Sequence, residues 1–218
     1  MTRSRSLSET LAALAGGLGL AAMLLAAPAY AQESPDKLVQ KVADEVLQTL
    51  RTDPDLRAGS QTKMAQLIEQ KVAPHFDFER MTRLAVGRNW RQATPEQQKL
   101  LVDNFRSMLL RSYSTAYTAY SNIAIEVKPW RGQPTDDDAQ VKTDIKLPGG
   151  APPIAVDYSM FKTAPEWKIY DVTVGGVGLV TTYRTTFSEE IRQSGIDGLI
   201  KSLQDKNAPP PPGAKKTQ

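Results

Sequence analysis

The stretch from Thr94 to Tyr120, TPEQQKLLVDNFRSMLLRSYSTAYTAY, constrains this chain more than any other. Thr94, Pro95 and Gln97 form a capping-box start: a cap, a proline in the first helical position and a glutamine three residues after the cap. Apolar residues then recur at Leu101, Phe105, Leu109, Tyr113, Tyr117 and Tyr120. Steps of three and four keep one face turned to one side throughout. At ~1.5 Å per residue this predicts a helix of roughly 39 Å, about the width of a small domain. Such a helix is a wall. The pattern alone leaves open whether it closes a solid core or an apolar cavity.

Residues 1–31 read as a secretory leader. Arg3 and Arg5 precede an Ala- and Leu-rich run over 11–27, and Ala29-Tyr30-Ala31 is a small-x-small cleavage site. Cleavage is expected after Ala31, with export. No cysteine occurs anywhere, so an exported fold here uses no disulfide, and thiol catalysis and zinc–thiolate sites are excluded. A formal net charge of +3 on 218 residues is too balanced to point to nucleic acid.

The mature chain reads as helices, then strands, then helices. Ser34-Pro35-Asp36 opens a helix to about Arg51, and a second covers about Gln61 to Val72. Asp77 caps a third, which Gly87 stops. After Tyr120 the period falls from near four to two. Four alternating runs follow, Ile123–Val127, Val141–Leu147, Ile154–Met160 and Trp167–Val174, which read as an antiparallel meander. Gly175-Gly176-Val177-Gly178 reads as a strand-to-helix turn. One helix then runs from Leu179 past Ile191, and another begins at Ser194. Residues 207–218, with Pro209 to Pro212 and two lysines, read as a disordered tail. The domain is therefore expected to span 32–206 with an α+β fold.

Motifs for chemistry are sparse. His75 is the one histidine, Asp136 to Asp138 lack the spacing of a calcium loop, and the GGVG run lacks that of a phosphate loop. No enzyme, cofactor or metal is expected. Aromatic residues on periodic segments are plentiful, among them Trp90, Phe105, Tyr158, Trp167, Tyr170, Tyr183 and Phe187. Tyrosine suits a boundary between hydrocarbon and water better than a solid core.

Several segments closely resemble the motifs of one family. Phe76-Asp77-Phe78-Glu79-Arg80-Met81, Gly87-Arg88-Asn89-Trp90 and Ala93-Thr94-Pro95-Glu96-Gln97 are followed in order by Arg111-Ser112-Tyr113 and Glu166-Trp167-Lys168-Ile169-Tyr170-Asp171-Val172. Gly176-Val177-Gly178-Leu179-Val180, Tyr183-Arg184-Thr185-Thr186-Phe187 and Gly195-Ile196-Asp197-Gly198-Leu199-Ile200 complete the series. This is similar to the MlaC, or toluene-tolerance, family over about Asp36 to Lys206. Gly178 departs from it where serine is common, and the tail is extra.

The resemblance implies a monomeric periplasmic phospholipid carrier of Gram-negative bacteria, with bound phospholipid as cargo. It would work between an outer-membrane MlaA–porin complex and the inner-membrane MlaFEDB complex, docking on the MlaD subunit, and so maintain outer-membrane lipid asymmetry. It also implies helices packed on a four-stranded, mostly antiparallel twisted sheet, an NTF2-like cone around an apolar lipid cavity. The expected lining comes from Trp90; from Phe105, Leu109, Tyr113 and Tyr117 on the long helix; from Val156 and Tyr158; and from Tyr183 and Phe187. Alternation on the last strand allows two inward faces, Trp167-Ile169-Asp171 or Tyr170-Val172-Val174. The second is the cleaner, so Tyr170, Val172 and Val174 complete the set. The competing readings are a solid-cored scaffold for protein interactions in the envelope and, behind it, an enzyme on a related cone-shaped fold.

Overall fold

Local sequence signals set most element boundaries. In the computed structural model, described for residues 33–118, 123–164 and 166–208, with backbone alone for 113–118, the chain opens with α1 (Pro35–Thr52). The leader, the side chains of Tyr113, Tyr117 and Tyr120, and residues 209–218 lie outside the described residues. Ser34 sits at the N-cap of α1 without capping it through its side chain. Its hydroxyl instead donates to Asp36 Oδ1 at 2.6 Å.

Asp53 caps the short α2 (Pro54–Arg57), and Ser60 caps α3 (Gln61–Leu67). The second expected helix does not run on regularly to Val72. It widens into a π-turn at Ile68–Val72, then tightens into a 3-10 turn at Ala73–His75, where Pro74 has no N–H to continue a helical ladder. Asp77 caps α4 (Phe78–Val86) by accepting the Arg80 N–H at 2.8 Å. Gly87, at φ +64°, ends it in a conformation that side chains disfavour.

The capping box of α5 (Pro95–Thr118) is present as a reciprocal pair. The Thr94 N–H donates to Gln97 Oε1 at 3.0 Å, and the Gln97 N–H donates to Thr94 Oγ1 at 3.2 Å.

The sheet is a five-stranded antiparallel meander in sequence order: β1 (Ala124–Val127), β2 (Asp138–Lys146), β3 (Ile154–Lys162), β4 (Trp167–Val174) and β5 (Val177–Gly178). The expectation of four strands is corrected. Gly175 and Gly176, at φ +57° and +86°, turn the chain tightly enough for Val177 and Gly178 to pair back on Val174 and Thr173. What reads as a strand-to-helix turn is a hairpin.

A second correction concerns β4. Met160 pairs with Ile169 and Ser159 with Asp171, so Tyr170 is an extra residue with no partner on β3. A bulge of this kind inverts the alternation along its strand. Trp167 and Ile169 are buried before it, and Val172 after it. Neither simple alternation describes the strand: each is right for half of it.

α6 (Leu179–Asn207) is broken at Gly195, φ +74° and ψ −177°, where the sequence expects one helix to give way to another. Asn207, expected to begin the tail, is instead the last residue of α6. Its Nδ2 donates to Asn104 O at 2.9 Å, and Arg111 Nη1 donates to Asn207 O at 2.7 Å.

Among the described residues, the buried apolar side chains form three clusters. One joins α4, α5 and α6 around Phe105, Phe187 and Leu203. A second joins α1 to the sheet around Val141, Met160 and Trp167. A third joins α1 to the α2–α3 region and its π-turn around Met64 and Leu67.

Candidate lipid cavity

The three clusters do not fuse into one core. Between them lies a cavity of about 280 Å³. Ile68 reaches it from the third cluster, Met81 and Leu109 from the first, and Val156 and Val172 from the second. A close-packed interior leaves few voids larger than a water molecule, so a space of this size is a structural feature.

Three walls enclose it. The sheet contributes Ile145, Ile154, Val156, Tyr158, Val172 and Val174, with Leu147 just past β2 and Ile123 just before β1. α5 contributes Leu109 and Leu110. The third wall is the irregular segment from the π-turn into α4: Ile68, Val72, Phe76, Phe78 and Met81. Leu179 closes the end where α6 begins. Among these residues Tyr158 alone carries a polar side-chain atom. Val174 is the most exposed of them, at 36%, which puts the open side of the cavity at the end of β4.

The bulge at Tyr170 builds this site. By inverting the strand it lets Trp167 and Ile169 pack under α1 while Val172 and Val174 face the cavity. Asp171 is left free to serve the next helix: its Oδ1 accepts the Val180 N–H at 3.0 Å, in the first turn of α6.

The third wall is fastened to β4. Phe76 forms an isolated parallel bridge with Ile169, and the Asp77 N–H donates to Ile169 O at 2.8 Å. Lys168 Nζ donates to Pro74 O and to Glu166 Oε1, each at 2.6 Å. Partial burial pushes the Glu166 carboxyl up, but Lys168 and His75 outweigh it and hold the group below the ordinary glutamate range. The Phe76 and Phe78 rings stack at 5.7 Å between centroids.

Of the expected lining residues, Leu109, Val156, Tyr158, Val172 and Val174 come together on the cavity. Five others do not. Phe105, Tyr183 and Phe187 form an aromatic triad, with Phe105 4.9 Å from Tyr183 and 5.1 Å from Phe187 in edge-on contacts. They fill the solid cluster between α5 and α6, where burial pushes the Tyr183 phenol up. Trp90 packs on the same cluster. Tyr170, displaced by the bulge, lies under Arg80, whose guanidinium carbon is 4.2 Å from the ring centroids of both Tyr170 and Phe161. The side chains of Tyr113 and Tyr117 lie outside the described residues.

Sequence reasoning missed the third wall. Val72, Phe76 and Phe78 sit in a π-turn, a 3-10 exit and a helix start, where helical or strand periodicity does not apply. Large apolar residues crowded around Pro74 were the available signal.

Among the described residues, no group of three or more His, Asp or Glu side chains is placed to hold a metal ion. No helix among them is long and apolar enough to cross a membrane.

The family model described as MlaC protein matches residues 40–205. The chain is 22% identical over 193 residues to the intermembrane phospholipid transport system binding protein MlaC of Haemophilus influenzae, covering 88% of this chain and 90% of that one. It is 25% identical over 183 residues to the toluene tolerance protein ttg2D of Pseudomonas putida, covering 82% and 84%. A phospholipid-binding protein from Ralstonia solanacearum, solved in complex with a phospholipid, superposes with a TM-score of 0.74 at 38% identity, covering 80% of this chain and 97% of that one.

Proposed function

This chain belongs to the MlaC family, and from that we propose that it is a periplasmic phospholipid carrier. The observation that carries the reading is the almost entirely apolar cavity between helices and sheet, in a chain 38% identical to a structure with phospholipid bound. The name of the Haemophilus relative, a binding protein of an intermembrane phospholipid transport system, supports transfer between two membranes. On this proposal the leader is cleaved after Ala31, and the monomer moves lipid between MlaA–porin and MlaFEDB, docking on MlaD. Lipid asymmetry of the outer membrane is the outcome. The expected NTF2-like cone is part of the same proposal, supported by a bulged antiparallel meander backed by helices.

The physics suits cargo better than substrate. Two tails of about fifteen methylenes each gain at most roughly 24 kcal/mol over water at ~0.8 kcal/mol per methylene. A bilayer provides the same gain, so transfer from membrane to carrier is near neutral and small differences set its direction. The charged head group stays in water at the open side by Val174, because burying it unpaired would cost several kcal/mol. The described walls of the main cavity offer hydrocarbon contact and a single tyrosine hydroxyl. A solid-cored scaffold would need side chains in the space that Leu109, Val156 and Val172 leave empty.

Val172→Arg tests the reading. The long side chain places a charge among the tails and can reach toward the open side, so the fold stands. Lipid phosphorus per mole of protein should fall severalfold while the circular dichroism spectrum is unchanged. Full lipid content in a folded variant overturns the assignment of this cavity.

A further inference from the structure

A second pocket of about 80 Å³ lies under α1, where Val39, Val42, Ala43 and Val46 face Ile125 and Ile169 of the sheet. Val72, Phe76 and Tyr158 border both this pocket and the main cavity. The two are therefore adjacent lobes, with these three side chains between them. The divider is held firmly, since Phe76 is bridged to Ile169 and flanked by the Asp77 and Lys168 hydrogen bonds to β4 and the Pro74 carbonyl. His75 marks the polar end of the smaller lobe, its Nδ1 3.5 Å from Glu166 Oε2.

Size assigns the lobes. The main cavity, at about 280 Å³, is more than three times the size of the smaller lobe, at about 80 Å³. The smaller lobe is several times the ~10–15 Å³ that one water-sized group needs, so it has room for a chain end and not for a whole acyl tail. Apart from His75 and the Tyr158 hydroxyl, the residues lining the lobe carry only hydrocarbon side chains, which suits the end of an acyl chain.

We propose that the lobe under α1 receives the terminal carbons of one acyl chain and so selects cargo by chain length and chain number. The inference rests on the carrier reading and deepens it. Phe76 is the residue that separates the two chains, and His75 with Glu166 sets the depth at which hydrocarbon must stop. A lipid with one chain has no use for the lobe, whereas a diacyl lipid with full-length chains needs it.

The test compares lipids extracted from purified wild-type protein and from Ala43→Leu, whose added carbons occupy the lobe from α1. Chain composition is read by mass spectrometry. The variant should shift severalfold toward lipids with one shortened or missing chain, and unchanged chain composition in a folded variant overturns the inference. Should Ala43→Leu fail to fold, Phe76→Ala decides: removing the divider should broaden the distribution toward longer chains, and an unaltered distribution overturns the inference. Wild-type protein that takes up no lipid overturns the carrier reading itself. Lipid-loaded wild type with indifferent variants overturns the lobe assignment alone.

Discussion

The Asp171 carboxylate of β4 accepts the backbone N–H of Val180 at 3.0 Å, so a strand residue caps the helix that begins beyond the next hairpin. Gly178, at the N-cap of α6, has no side chain to do this. The cap depends on the bulge, because Tyr170 is the extra residue that brings Asp171 and Val172 onto the faces they occupy. Asp171→Ala should therefore destabilise the protein by about 1 kcal/mol, the usual cost of a lost helix cap, measured by urea denaturation. An unchanged midpoint would show that water or another group replaces the carboxylate.

The solid cluster and the cavity wall should respond differently to the same kind of change. Phe187→Ala opens a hole in a packed aromatic triad and should cost about 3–5 kcal/mol. Val174→Ala, at an exposed lining position, should change stability by no more than about 0.5 kcal/mol while reducing lipid content. Equal losses of stability would mean that β4 has no open side.

These two sites also mark where sequence reasoning succeeds and where it stops. Asp77, Gly87 and the Thr94–Gln97 pair act through bonds a few residues long, so residue type and spacing are enough to find them. The break at Gly195 is legible for the same reason. Strand parity on β4 is not, because one unpaired residue at Tyr170 inverts everything after it and leaves no compositional mark. Nor does a helical stripe say what it faces. Phe105 and Leu109 are one turn apart on α5 and equally apolar, yet Phe105 meets two aromatic rings while Leu109 borders the cavity. That difference depends on where other elements stop short, which is tertiary information. The third wall was hidden because a π-turn has neither of the periods that identify helices and strands.

Bound lipid should stabilise the fold by mass action, since it binds the folded state alone. At 100-fold saturation the gain is roughly 2.7 kcal/mol. Delipidated protein should melt several degrees lower and recover when phospholipid is restored, as read by scanning calorimetry. Coincident melting curves would indicate that nothing binds.

Acid should weaken the β1–β2 edge. Glu126 is hydrogen-bonded to Lys128 and Lys146, which hold its carboxyl at about 2 against an ordinary 4.5. A depressed folded-state value means stability that is fully present above pH 4.5 and is lost as pH falls toward 2. Both partners are on the surface, so the effect is small and fades with salt. Glu126→Gln should flatten the dependence of stability on pH in that window, measured by urea denaturation at low ionic strength. An identical pH profile in the variant would remove Glu126 from the acid response.

The carrier reading itself is tested most directly by native mass spectrometry of the mature protein purified from cells without added lipid. The account predicts a monomer whose mass exceeds that of the polypeptide by one or more phospholipids, with head groups and chains identified on release. A spectrum of bare polypeptide, together with failure to take up phospholipid from vesicles, would contradict it.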